Sequence, residues 1–189
     1  MTNNLIIAGG DTETTGLLTP DHRLIETYTG LWRGGKKIFE YEQRIDPQRS
    51  ISADAQRVHG ISAADLFGKP TWENVVGTHQ KVFSKCHMIV FHNAEFDWNF
   101  YTQEFKRVGV TLPQPIVFDT MTEGVWATHD GKKPSLQELC FACEVEYDPA
   151  LAHAAAYDVD KMMDCFFKGL EWGYFELPEA LRESQPVAA

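Results

Sequence analysis

The sequence predicts an α/β domain: a mixed sheet of about five strands flanked by helices. Three observations predict it. Strand-like runs crowd the first third, helical periodicity takes over from Ala53 onward, and two short apolar runs recur between the helical segments. Residues 5–8, 24–32 and 37–45 read as an antiparallel unit, the last two joined by a turn at Gly34 and Gly35. Residues 87–91 and 116–118 lie between helices, where parallel additions to the same sheet are expected. One helix carries the stripe Phe100, Tyr101, Phe105 and Val108, with Asp97 on the same side. The last helix repeats Val159, Met162, Met163, Phe166, Phe167 and Leu170, with Asp158 four residues before Met162. Both aspartates should therefore face the sheet.

A length of 189 residues fits one domain, and 43% hydrophobic with 23% charged residues excludes a disordered or fibrous chain. Its apolar runs are strand-length, far short of the ~20 residues a membrane helix needs, so no membrane association is expected. The N-terminus lacks a basic segment followed by an apolar stretch, which makes the cytoplasm the expected location. Cys140 and Cys143 have the spacing of a zinc or redox pair. They also fall on the stripe Leu136, Leu139, Cys140, Cys143, the buried side of an amphipathic helix, and no second ligand pair follows. The buried reading is preferred. The domain is expected over residues 4–172, and residues 173–189 read as an irregular, partly mobile tail.

A net charge of −10 argues against a large surface coating a nucleic-acid duplex, which needs Lys and Arg. The excess is uneven, however: residues 1–60 carry 7 basic against 8 acidic groups, and residues 61–189 carry 10 against 19. A carboxylate cluster holding divalent cations would account for part of it. The first strand leads into Gly9-Gly10-Asp11-Thr12-Glu13-Thr14, and strand alternation puts Asp11 and Glu13 on one face with Thr12 on the other. Two buried carboxylates side by side are costly, and a hard oxygen-seeking cation such as magnesium relieves the cost. Taken alone, the pair reads as a polar turn leaving a strand.

Two further motifs change that reading. His92-Asn93-Ala94-Glu95-Phe96-Asp97 opens one helix, and His153-Ala154-Ala155-Ala156-Tyr157-Asp158 opens the last. With Asp11-x-Glu13 before them, their spacing and order resemble the DEDDh branch of the 3′-5′ exonucleases, the family of the proofreading epsilon subunit of bacterial DNA polymerase III. Val58-His59-Gly60-Ile61, Phe118-Asp119-Thr120 and Ser135-Leu136-Gln137-Glu138-Leu139-Cys140 resemble family segments too, so the likeness covers about residues 4–172. It implies a ribonuclease H-like sheet and a metal-dependent 3′-5′ exonuclease that releases nucleoside 5′-monophosphates from single-stranded DNA. Gly10 departs from the pattern, since relatives place a bulky residue there, and leaves the strand register into Asp11 open.

By the same resemblance, Asp11, Glu13 and Asp158 hold one Mg2+ or Mn2+ ion, Asp11 shares a second, and Asp97 acts partly through coordinated water. His153 is the implied general base, suited by a free imidazole pKa near 6.5. Positions five apart on a straight helix diverge by about 140°, so His153 is expected on the loop entering the helix that fixes Asp158. Leu17 and Phe96 resemble residues that wedge against or stack on the terminal bases, and Thr14 one whose backbone approaches the 3′-hydroxyl. His59 would contact the terminal nucleotide, or else only steady the turn before Gly60. His92 reads as structural. Implied partners are a nucleic-acid 3′ end, DNA before RNA, and a polymerase or a second copy of the chain. The rivals are an RNA-trimming exonuclease and a noncatalytic module that docks a polymerase. The intact acidic set argues against the second.

Overall fold

The computed structural model describes residues 4–182. Its elements in chain order are β1 (Ile7–Thr14), β2 (Leu24–Arg33), β3 (Lys36–Arg44), α1 (Ala53–His59), α2 (Ala63–Leu66), α3 (Trp72–Phe83), β4 (Met88–Phe91), α4 (Ala94–Arg107), β5 (Ile116–Asp119), α5 (Thr120–Glu123), α6 (Leu136–Ala142), α7 (Ala155–Trp172) and α8 (Glu179–Arg182). Short 3₁₀ turns occupy Val125–Ala127 and Pro149–Leu151. The sheet order is β3-β2-β1-β4-β5. β1, β2 and β3 pair antiparallel, while β4 and β5 add in parallel. The expected mixed five-stranded sheet is what forms.

Strand alternation sorts the core into two layers. Ile7 on β1 and Met88 and Val90 on β4 face α7, where Val159, Met162, Met163 and Phe166 are buried. Ala8, Ile89 and Phe91 point the other way, onto Trp72 and Phe83 of α3 and Phe100, Tyr101 and Phe105 of α4. β4 is buried on both sides, which explains its uninterrupted apolar run. Cys140, Cys143 and Cys165 are free thiols buried in the α7 layer.

β1 runs six residues further than the apolar run 5–8 suggests, because its pairing with β2 continues through Asp11, Thr12 and Glu13. At Gly10 the register is regular, and the irregularity falls between Glu13 and Thr14. Gly9 and Gly10 are close-approach glycines: a Cβ on Gly9 would lie 2.7 Å from Met163 Cγ, and one on Gly10 2.6 Å from Phe91 Cε1. The boundary at 172 also needs correction. Gly173 ends α7 in the left-handed conformation, and the chain then returns to bury Phe175, Leu177 and Leu181 in the α7 layer. The packed unit thus extends to Arg182, and the remainder of the expected tail, 183–189, lies outside the described residues.

One polar cluster ties the sheet to α4. Glu104 is buried, 1% exposed, and receives Arg23 on both oxygens, Nε at 2.6 Å and Nη2 at 3.0 Å, with Arg107 Nη1 at 2.8 Å. Arg107 also donates to the carbonyls of Pro20 and His22, and the Arg23 backbone N–H donates to Thr15 Oγ1. The β1–β2 loop is thereby clamped onto the helix that carries Asp97. Removing one partner of a buried ion cluster leaves the others uncompensated. Glu104→Ala should therefore lower unfolding stability by about 3 kcal/mol, measured by urea denaturation; a change within about 0.5 kcal/mol would show that the clamp contributes nothing.

Candidate active site

Asp11, Glu13, Thr14, Leu17, His59, Phe96, Asp97, His153 and Asp158 all line one cleft of about 810 Å³ at the C-terminal end of β1. Three elements deliver the acids: β1 brings Asp11 and Glu13, α4 brings Asp97 and α7 brings Asp158. Asp97 is 4% exposed and accepts a 2.7 Å hydrogen bond from Thr12 Oγ1, reached across the sheet because Thr12 points away from Asp11. Asp158 sits in the first turn of α7, with Oδ2 accepting the His153 backbone N–H at 2.8 Å and Oδ1 accepting the Tyr147 hydroxyl at 3.2 Å. His153 itself lies on the loop before α7, exposed and at φ 66°. That left-handed conformation is uncommon for a residue with a side chain.

The electrostatics are those of like charges sharing a dry corner. Burial, then Asp97, Glu13 and Asp158, push the Asp11 carboxyl well above its ordinary value. Burial, then Glu26, Asp97 and Asp158, raise Glu13 to about 8. Burial raises Asp97 to about 7 against the Thr12 hydroxyl, and burial raises Asp158 against the hydrogen bonds from His153 and Tyr147. Glu26 faces Glu13 directly across the antiparallel ladder and is compensated by Arg44 Nε at 3.2 Å, its own cross-strand neighbour on β3. Among the described residues, no three His, Cys, Asp or Glu side chains already stand as a metal cage. The donor chemistry nevertheless fits a hard divalent cation: four carboxyls, all oxygen, each made reluctant to ionise by burial or by its neighbours.

The flanks of the cleft are apolar. Leu17 and Leu18 are 79% and 70% exposed on the clamped loop, and the Phe96 ring packs on Phe100 in a tilted arrangement with centroids 5.0 Å apart. His59 Nδ1 accepts the Ile61 N–H at 3.0 Å, so the turn-steadying role is present, while its ring also borders the cleft. His92 pairs through Nδ1 with Thr120 Oγ1 at 2.9 Å, and the Nε2 atoms of His59 and His92 are buried without partners. Sequence reasoning missed four supports: Thr12, Tyr147, Glu26 and Asp119. Asp119 accepts from the backbone of Asn93 and Met121, and so fixes the left-handed residue that starts α4. The Phe118-Asp119-Thr120 segment was visible as a motif, yet nothing in its spacing points to Asn93.

The chain matches the RNase T exonuclease family over residues 9–166 and belongs to that family. As an enzyme it is a 3′-5′ exonuclease, a hydrolase, with a ribonuclease H-like fold. It is 29% identical over 170 residues to the DNA polymerase III subunit epsilon of Buchnera aphidicola subsp. Schizaphis graminum, covering 84% of this chain and 71% of that one. It is 27% identical over 156 residues to the PolC-type DNA polymerase III of Mycoplasmopsis pulmonis, covering 82% of this chain but 11% of the relative. Among solved structures, exonuclease X in complex with 5′-overhanging duplex DNA superposes with a TM-score of 0.68 at 22% identity, covering 90% of this chain and 94% of that one. An E. coli exonuclease I–single-stranded DNA complex gives 0.77 at 16% identity, covering 89% and 41%. These two structural likenesses establish the fold.

A carboxyl whose folded pKa lies above its unfolded one holds its proton more tightly when folded, so stability falls as pH rises toward the folded value. His79, lowered to about 4 by burial, acts in the opposite sense, but only below the ordinary imidazole value of 6.5. Between pH 6.5 and 8 the carboxyls Asp97 and Glu13 should dominate. In chelator, Tm should therefore fall across that window, and added Mn2+ should raise it more at pH 8 than at pH 6.5. A rising Tm in chelator would show that these carboxyls are not held protonated.

Proposed function

We propose that the chain removes nucleotides one at a time from the 3′ end of single-stranded DNA and releases nucleoside 5′-monophosphates. The observation that carries this is the convergence of Asp11, Glu13, Asp97 and Asp158 with His153 on a cleft flanked by exposed Leu17 and by Phe96. The relatives' names support DNA as substrate and a polymerase as partner, by likeness.

Asp11, Glu13 and Asp158 would hold the divalent ions, with Asp97 steadied by Thr12 beside them. Two Mg2+ or Mn2+ ions, when bound, would neutralise charge on the attacking and leaving oxygens. His153 takes the proton from the water that attacks phosphorus, as a general base on a mobile approach rather than a fixed one. The bond from phosphorus to the upstream 3′-oxygen breaks, and the phosphate leaves on the released nucleotide. Leu17 and Phe96 hold the terminal base by apolar contact, which tolerates any sequence. Thr14 and His59 border the sugar.

Digestion of matched DNA and RNA strands labelled at the 5′ end should show stepwise shortening, faster on DNA, and none in chelator. Equal cutting of a circular strand would sink the reading, and faster loss of RNA would transfer it to the RNA-trimming rival. His153→Ala should slow turnover roughly 10²–10⁴-fold while metal titration stays near that of the parent. Asp158→Asn should lose both turnover and metal affinity, since it removes a charge the cation requires. Manganese calorimetry beside single-turnover cleavage reads the two apart; if both variants cleave like the parent, neither residue has its assigned role.

A further inference from the structure

We infer that a groove leading from the catalytic cleft to the outer side of α6 carries the strand upstream of the 3′ end, and that Phe141 stacks on one of its bases. This rests on the exonuclease reading above. A second cavity, of about 440 Å³, adjoins the cleft and shares Asp11, His92, His153 and Asp158 with it. The scissile phosphate has to lie at those shared acids. With the departing nucleotide against Leu17 and Phe96 on one side, the rest of the strand must leave on the other, through the cavity bordered by Tyr147 and Gln137. A third cavity, of about 560 Å³, is bordered by the same Gln137 and by Phe141, His129 and Lys132.

Gln137 and Phe141 are four residues apart on α6, so they share a face, one turn from each other. The opposite side of α6 buries Leu139 and Cys140 completely, whereas Phe141 is 87% exposed. A lone exposed aromatic is ordinary. One bordering a cavity that meets the extension of a nuclease cleft at Gln137 offers a base a stacking surface, and such stacking is indifferent to sequence. Phosphate pairing contributes little at this rim. Lys132 is engaged by Glu138 at 2.7 Å, and Asp130 stands beside it. Affinity along the groove therefore comes from the ring rather than from charge, in keeping with the acidic chain.

The test compares kcat/KM for a DNA strand of about twelve nucleotides with that for a dinucleotide too short to reach α6. Alanine at a stacking aromatic costs roughly tenfold in binding. Phe141→Ala should lower the long-to-short ratio by about that factor through KM, and Phe141→Trp should restore it. Its exposure means that neither change disturbs the core, and circular dichroism melts should match the parent. An unchanged ratio in Phe141→Ala overturns the groove and leaves the exonuclease reading standing. Failure of the parent to cleave either substrate overturns the exonuclease reading, and the groove with it.

Discussion

The repulsion among four carboxyls gathered in a partly buried corner is the constraint around which this structure is arranged. Left alone, such a group would take up protons or spread apart, because burial and like charge both disfavour ionisation. Two of the acids are held by specific neighbours: Asp97 by the Thr12 hydroxyl, Asp158 by Tyr147 and the His153 N–H. Glu13 has only indirect relief, through the Arg44 guanidinium that compensates Glu26 opposite it. Stability has to be drawn from elsewhere, namely the two apolar layers on either face of the sheet.

Those layers also decide where the acids meet. Asp97 belongs to the helix packed on one face and Asp158 to the helix packed on the other, so the sheet end is the place where both can reach the β1 carboxyls. The Glu104 clamp adds the third side, fastening the loop that bears Leu17 to the same helix as Asp97 and Phe96. The apolar flank of the cleft is thus fastened to the helix that supplies Asp97.

Much of this was legible in the sequence, and for identifiable reasons. The α7 stripe repeats from Val159 to Leu170, long enough for helical periodicity to be unambiguous, and the spacing to Asp158 follows from it. The double burial of β4 shows as an unbroken apolar run. The apolar run of β1 ends at Ala8 because acidic and glycine residues have poor strand propensity, yet cross-strand pairing with β2 carries the strand on to the acids, as the alternation of Asp11 and Glu13 expects. Phe175, Leu177 and Leu181 carry neither a helical nor a strand period, so their burial could not be read before the return of the chain was seen. Tyr147 and Thr12 were hidden because each meets its acid across a loop or a sheet, contacts that one-dimensional spacing does not encode.

The bare backbone of β1 has a further consequence. With Met163 and Val159 resting directly on Gly9, and Phe91 on Gly10, no side chain of the strand's own separates it from its neighbours there. The spacing between Asp11 and Asp158 is then set by a mechanical stop: rotamer changes elsewhere in the core have no cushion at this point through which to narrow it. A site assembled from mutually repelling groups gains from such a stop a fixed gauge, one that does not have to be re-established each time the cleft empties and fills.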